Sequence, residues 1–250
     1  MTARGGGSLA PHGTLSEFYG SAEERARYVQ GLFDRGAPEY NWVSRMMSLG
    51  TDRGYRRYAL RRAGITASSK VLDVATGTGL VARAAVECGV PEEAVVGLDP
   101  SRGMLEENRR GQRVRLVQGL GERLPFRDGR FDLVVMGYAL RHVADLGWLF
   151  GEFCRVLRPG GRVLILEISR PRSRWGCALL SFYMRRFFPV LARSGGRSRV
   201  TGEMMEYYWA TIAGCVPPER ILEALAQAGL EQVRRATTGP VLSDYVAVRP

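Results

Sequence analysis

Short aliphatic runs alternate with stretches of helical periodicity through the middle of the chain, and this alternation predicts the elements. KVLDVA (Lys70–Ala75) is rich in β-branched and aliphatic residues and precedes a glycine turn and a helical stretch, Leu80–Cys88. AVVGLD (Ala94–Asp99) repeats the pattern, with Ser101 placed to cap a helix over Arg102–Arg110. RVRLVQ, FDLVVMG and GRVLILEIS predict three more strands. An amphipathic helix, Asp145–Leu157, lies between the last two and is stopped by Pro159-Gly160-Gly161. Further on, a helix near Glu219–Ala228 leads into strands at Leu230–Ala236 and Leu242–Val248. Strands and helices joined by short connections imply βαβ units and a mostly parallel sheet flanked by helices, an α/β fold. The expected organisation is a flexible tail over residues 1–20 and one domain over 21–250. Within that domain we place N-terminal helices at 21–66, a core at 70–170, a helical insert or lid at 171–215, and a C-terminal helix and strands at 216–250.

Composition narrows the class. With 250 residues, 45% apolar and 24% charged, the chain is neither disordered nor fibrous, and it is long enough for one large core. Cys88, Cys154, Cys177 and Cys215 lie far apart with no C-x-x-C pair, so they read as reduced, mostly buried thiols of a cytoplasmic protein. No metal site is evident. The start, MTARGGGSLAPHGT, lacks the apolar core of a signal peptide. No run approaches the roughly 18 apolar residues of a spanning helix. The expectation is a soluble protein, peripheral at most at the inner membrane face. The net charge of +11 is nearly all arginine, since Lys70 is the only lysine. Eight arginines and no acid fall between Arg170 and Arg199, among Trp175, Phe182, Tyr183, Phe187 and Phe188. Such a segment suits an anionic membrane interface; a lid helix with solvated arginines is the other reading. No RNA-binding motif accompanies the charge, so nucleic acid is not expected.

The glycine turn carries the chemistry. In Asp73-Val-Ala-Thr-Gly77-Thr78-Gly79, between a strand and a helix, Gly77 and Gly79 let the backbone approach a ligand closely. Asp99 follows Gly77 by 22 residues at the end of the second strand, where an acid can accept both hydroxyls of a ribose. GTGLVA alone also fits the dinucleotide fingerprint. Asp73, however, would repel a pyrophosphate and attract the sulfonium and ammonium of S-adenosylmethionine (SAM), unless it only caps the turn.

Here the sequence resembles a family. D-x-A-x-G-x-G, GLDPSRGML, LPFRDGRFDLVV and VLRPGGRVLILEISRP look like the class I SAM-dependent methyltransferases. Gly31–Arg57, YALRHVAD (Tyr138–Asp145) and LEISRP are similar to segments of the menaquinone/ubiquinone C-methyltransferases. The resemblance implies a Rossmann-like, seven-stranded fold and methyl transfer to a ring carbon of a lipid-soluble prenylated quinol. It also implies cofactor contacts from Asp73, Gly77, Thr78, Gly79, Asp99, Leu120, Gly121 and Gly137. Several positions depart from the family pattern. Asn41 and Ser44 replace Asp and Asn, Leu120 stands where an acid or amide usually meets adenine, and Gly137 replaces a Ser. His142 replaces an Asn, and VLSDYVAV lacks a C-terminal His.

Methyl transfer is a displacement in which alignment dominates, and a ring carbon becomes nucleophilic when a neighbouring hydroxyl loses its proton. Residues just past strand ends face the pocket in such sheets, which singles out Tyr138, Arg141, His142 and Glu167. His142 titrates near neutral pH and is either the base or a structural imidazole. Arg141 holds an acceptor oxyanion or pairs with Asp145 or Glu167. Tyr40 and Tyr183 are placed with the acceptor pocket, core packing being the other reading of Tyr183. Two other functions remain open: a methyltransferase tailoring a small aromatic or polyketide metabolite at O, N or C, and a non-catalytic binding protein on the same fold. Oligomeric state is unspecified.

Overall fold

A computed structural model describes residues 9–171, 173–194 and 198–250. Strands β1 (Val71–Val74) and β2 (Val95–Asp99) are buried at every position, which is why they read as unbroken apolar runs. Strands β3 (Arg115–Gln118), β4 (Phe131–Gly137), β5 (Leu157–Ile168), β6 (Glu231–Thr238) and β7 (Leu242–Val248) complete one sheet in the order β3-β2-β1-β4-β5-β7-β6. β7 runs antiparallel to both of its neighbours, and the other pairings are parallel. The residues expected to stop the helix before β5 differ from the reading: Leu157 already pairs with Phe131, and the register shifts before Arg162. Pro159-Gly160-Gly161 thus forms an irregularity within the strand.

Chain direction away from the centre reverses between β1 and β4, the switch point where open parallel sheets bind ligands. Register aligns the rim there. Val74 lies beside Leu98 on one side and Met136 on the other, so the turn after β1, Asp99 and Gly137 emerge together.

Helices cover both faces. α1 (Ala22–Met47) starts at Ser21, whose side chain accepts from the Glu24 N–H, and α2 is Asp52–Arg62. α3 (Leu80–Glu87), α4 (Arg102–Gly111) and α5 (Leu146–Val156) follow; Ser101 and Asp145 cap the last two by accepting from the Met104 and Trp148 N–H groups. α6 (Arg174–Phe182) runs through a π-helical stretch, Tyr183–Phe187, into α7 (Phe188–Ser194), followed by α8 (Arg199–Gly214) and α9 (Pro218–Gln227). One core packs Phe150, Phe153 and Leu225 against Leu72 and Val134; another packs Leu60 and Ala85 against Leu133 and Leu164. Each such leucine, valine or phenylalanine contributes roughly 1.5–3 kcal/mol by leaving water. A third cluster, with Leu32, Val43, Met184, Phe188 and Met204, joins α1 to the insert.

The N-terminal segment corrects the expectation of a flexible tail. Residues 1–8 lie outside the described residues, but 9–20 are docked. The Leu9 N–H donates to Asp145 Oδ2 at 3.0 Å, Leu146 N–H donates to the Leu9 carbonyl, and Val216 N–H donates to the Pro11 carbonyl. His12 forms an isolated antiparallel bridge with Cys215. The four cysteines are free but only half-buried, less enclosed than expected.

Candidate functional site

A cavity of about 400 Å³ opens at the rim where β1, β2 and β4 end. Gly77, Asp99, Leu120, Gly121 and Gly137 line one end of it. Gly77 has φ +55° and nothing nearer than Met104 Sδ where a Cβ would stand, so its open face belongs to the cavity. Gly79 (φ +83°) has another purpose. A Cβ there would collide with Gln112 and Asn108 of the α4 end, which tie down the turn by donating to the Gly79 and Gly77 carbonyls. Gly121 likewise makes room for Leu149 and Val74, and Leu120 is 57% exposed at the mouth.

Asp99 is held by the N–H groups of Gly77 and Ser101, each at 2.8 Å. Burial raises its carboxyl to about 6 despite these donors, with Asp34 adding to the rise. Asp73 does not reach the cavity. Its Oδ2 accepts from Thr76 Oγ1 and from the Ala82 N–H, which ties the turn to α3. Burial raises it to about 7, and its Oδ1 has no hydrogen-bond partner. The turn-capping alternative is therefore the one adopted. Thr78 also points away, donating to Asn41 Oδ1 at 2.6 Å.

Sequence reasoning placed Tyr40 of α1 at the cavity but missed its neighbours on that helix. Gln30, Phe33 and Ser44 recur with Tyr40 at helical spacing and line the cavity. On the same helix, Asp34 accepts from Ser101 Oγ and the Gly103 N–H, and Asn41 grips Thr78. Pro38 leaves the Asp34 carbonyl without its helical donor, and a Cβ at Gly103 would lie 2.8 Å from that oxygen. A second missed group is Arg56, buried, ion-paired with Asp52 and 5.3 Å from the centre of the Tyr138 ring. The polar and aromatic stripe on α1 was the available signal.

At the other end stand Tyr138, Arg141, His142, Tyr40 and Tyr183. Tyr138 has φ +60°, an uncommon conformation for a bulky residue, and its N–H donates to the Leu166 carbonyl at 2.7 Å. Arg141 is buried, with Nη1 2.6 Å from Glu167 Oε1, so its charge is already neutralised by a protein carboxylate. Glu167 stands behind Arg141 and does not line the cavity, which corrects its placement among pocket residues. The His142 ring stacks on Tyr207 at 5.4 Å, and its Nδ1 has no hydrogen-bond partner. Burial, with Arg141, His12 and Arg25 nearby, holds it well below the usual imidazole range, so it does not titrate near pH 7 as its residue type suggests. Tyr183 lines the cavity and donates to the Met46 carbonyl, tying the insert to α1. Among the described residues no group of three or more His, Cys, Asp or Glu could hold a metal ion.

A model of the ubiE/COQ5 methyltransferase family matches residues 20–248. The ubiquinone/menaquinone biosynthesis C-methyltransferase UbiE of Geobacter sulfurreducens is 38% identical, over 67% of this chain and 68% of that one. The demethylmenaquinone methyltransferase of Roseiflexus castenholzii is 33% identical, over 87% of this chain and 91% of that one. A Thermotoga maritima crystal structure, described as a SAM-dependent methyltransferase and possible histamine N-methyltransferase, aligns with a TM-score of 0.62 at 17% identity. It covers 88% of this chain and 99% of that one, a likeness of fold.

Proposed function

This chain belongs to the ubiE/COQ5 methyltransferase family, and we propose that it methylates a ring carbon of a demethylmenaquinone-like isoprenoid quinol. The enzyme is SAM-dependent. The residues present suit that cofactor: open space over Gly77 and a buried carboxylate at Asp99. When bound, SAM supplies a methyl group already activated on a sulfonium.

The observation that carries the reading is the reach of this cavity. It joins the Gly77–Asp99 end to an acceptor end walled by Val43, Met47, Leu180, Met184 and Leu242. Such a wall suits an apolar ring and the first part of a prenyl tail. Asp99 would accept the ribose hydroxyls of the bound cofactor. His142, neutral at pH 7, takes the hydroxyl proton of the quinol, and the oxyanion left behind enriches the neighbouring ring carbon. Tyr40 and Tyr183 hold the ring, while Arg141 keeps the His142 loop in place through Glu167.

Acceptor delivery gives α6–α7 its part. Leu180, Tyr183 and Met184 line the cavity, whereas Trp175 (87% exposed), Leu179 (70%) and Val190 (61%) face outward beside Arg185 and Arg186. No helix of the described residues is long and apolar enough to cross a membrane. The reading is a cytoplasmic enzyme that touches the inner membrane face through this segment and takes its acceptor from there.

The test is transfer of labelled methyl from SAM to a reduced prenylated naphthoquinone, with the product examined for a carbon–methyl bond. Label at a ring carbon is expected, and His142→Asn should lower the rate at least tenfold. Label only in small untailed phenols or amines would favour a tailoring enzyme, and SAM binding without transfer a non-catalytic role.

A further inference from the structure

The loop that carries Arg141 and His142 has little to hold it by itself. It leaves β4 at Tyr138 and makes one short 3-10 turn, in which the His142 N–H donates to the Ala139 carbonyl. Its remaining backbone is satisfied from the N-terminal segment, from Arg25 at the start of α1, and by Glu122, which accepts from the Ala144 N–H. The Arg141 carbonyl faces His12 Nε2 at 3.0 Å and accepts from Arg25 Nη2 at 3.3 Å. The Val143 carbonyl accepts from Arg25 Nη2 at 2.6 Å, and Asp145 receives the Leu9 N–H. His12 is 4% exposed and is itself clamped from behind by its bridge to Cys215. A second route reaches the same loop, because Phe18 packs edge-on against Tyr207, the ring on which His142 stacks.

We propose that His12 is a positioning residue, holding the Arg141–His142 loop at the acceptor end of the cavity through an Nε2–H bond to the Arg141 carbonyl. The proposal rests on the reading that this loop acts on the acceptor. Both ring nitrogens face carbonyl oxygens, Nδ1 that of Gly13 at 2.7 Å and Nε2 that of Arg141; Arg25 Nη2 lies 3.4 Å from Nε2 and donates to the same Arg141 carbonyl. A neutral ring donates through only one of them. The Gly13 contact joins chain neighbours and steadies only the ring, whereas the Arg141 contact spans 129 residues and steadies the site.

Two conservative substitutions separate these contacts. Glutamine places an amide nitrogen near the position of Nε2, and asparagine places one near Nδ1. His12→Ala and His12→Asn should lower kcat about ten- to hundredfold, the scale of a misplaced reacting group, with the Kd for SAM unchanged. His12→Gln should restore most of the rate. The chain has two histidines, so each variant leaves His142 as the sole imidazole signal in a histidine-labelled NMR spectrum. That signal should match wild type in His12→Gln and move in His12→Ala. An unmoved His142 signal in His12→Ala, or equal loss in the Asn and Gln variants, overturns the proposal. If the His142 signal follows His12 but His142→Asn leaves the rate intact, His12 holds the loop and the catalytic reading of the loop is what fails.

Discussion

Position 137 shows how one missing side chain ties two sites together. A Cβ there would lie 2.7 Å from Val81 Cγ2, so Val81 occupies the space that the serine usual in the resembling family would need. Gly137→Ser alone should cost about 1–3 kcal/mol, the scale of overpacking, and Gly137→Ser with Val81→Ala should regain most of it in thermal melts. Asp99 makes a pH-dependent prediction. Its carboxyl is raised to about 6 from an ordinary 3.8, and the ribose hydroxyls need the ionised form. SAM affinity should therefore fall as the pH drops through 6. Asp99→Ala should weaken it by about 2 kcal/mol, or roughly thirtyfold, and flatten that dependence; calorimetric titration across the range reads both. For the fold the sign is opposite. The native state binds this proton more tightly than the unfolded chain, so Asp99's contribution to stability falls as pH rises from 4 to 6. Gly77, Asp99 and Gly121 were legible because turn and strand end dictate their place. Asp73, Thr78 and Glu167 were misplaced because a sequence locates a residue at a strand end without showing which way its side chain turns. Asp73 turns toward α3, and Glu167 turns behind Arg141.

Among the elements, central strands were the most legible, because burial on both faces leaves an uninterrupted apolar run. The segment over residues 9–20 was the least. Its Gly, Pro and Ser content reads as a loop, and a loop docked through backbone hydrogen bonds has no periodicity to betray it. The α1 stripe was readable in principle, yet Pro38 and its mixed polarity blur the helix that presents it. The α6–α7 segment carries its own prediction. Its outer face combines exposed Trp175 and Leu179 with Arg185 and Arg186, so it should bind vesicles containing anionic lipid and weaken as salt rises. Trp175→Ala with Leu179→Ala should reduce vesicle binding at any salt, and Arg185→Glu with Arg186→Glu should remove its dependence on anionic lipid. Neither pair should alter SAM affinity, since none of the four side chains lines the cavity. Vesicle co-sedimentation checks each variant, and binding indifferent to lipid charge would dismiss the contact.

For the whole molecule, a mostly parallel sheet with its ligand edge at the strand ends followed from alternation of elements, whereas the strand order came only with the structure. What alternation does not carry is how the flanking segments close over that edge. Those contacts are long-range and side-chain specific: Asn41 to Thr78, Tyr183 to Met46, His12 to Arg141. The bridge between His12 and Cys215 has a consequence in time. During synthesis His12 is made 129 positions before Arg141, which it braces, and well before Cys215, which clamps it. Until Cys215 follows, His12 lacks the bridge that clamps it from behind against the loop bearing His142. The Gly77 turn, whose contacts to Asp99 and Asn108 span only 22 and 31 positions, can therefore close before the acceptor end of the cavity has its full frame.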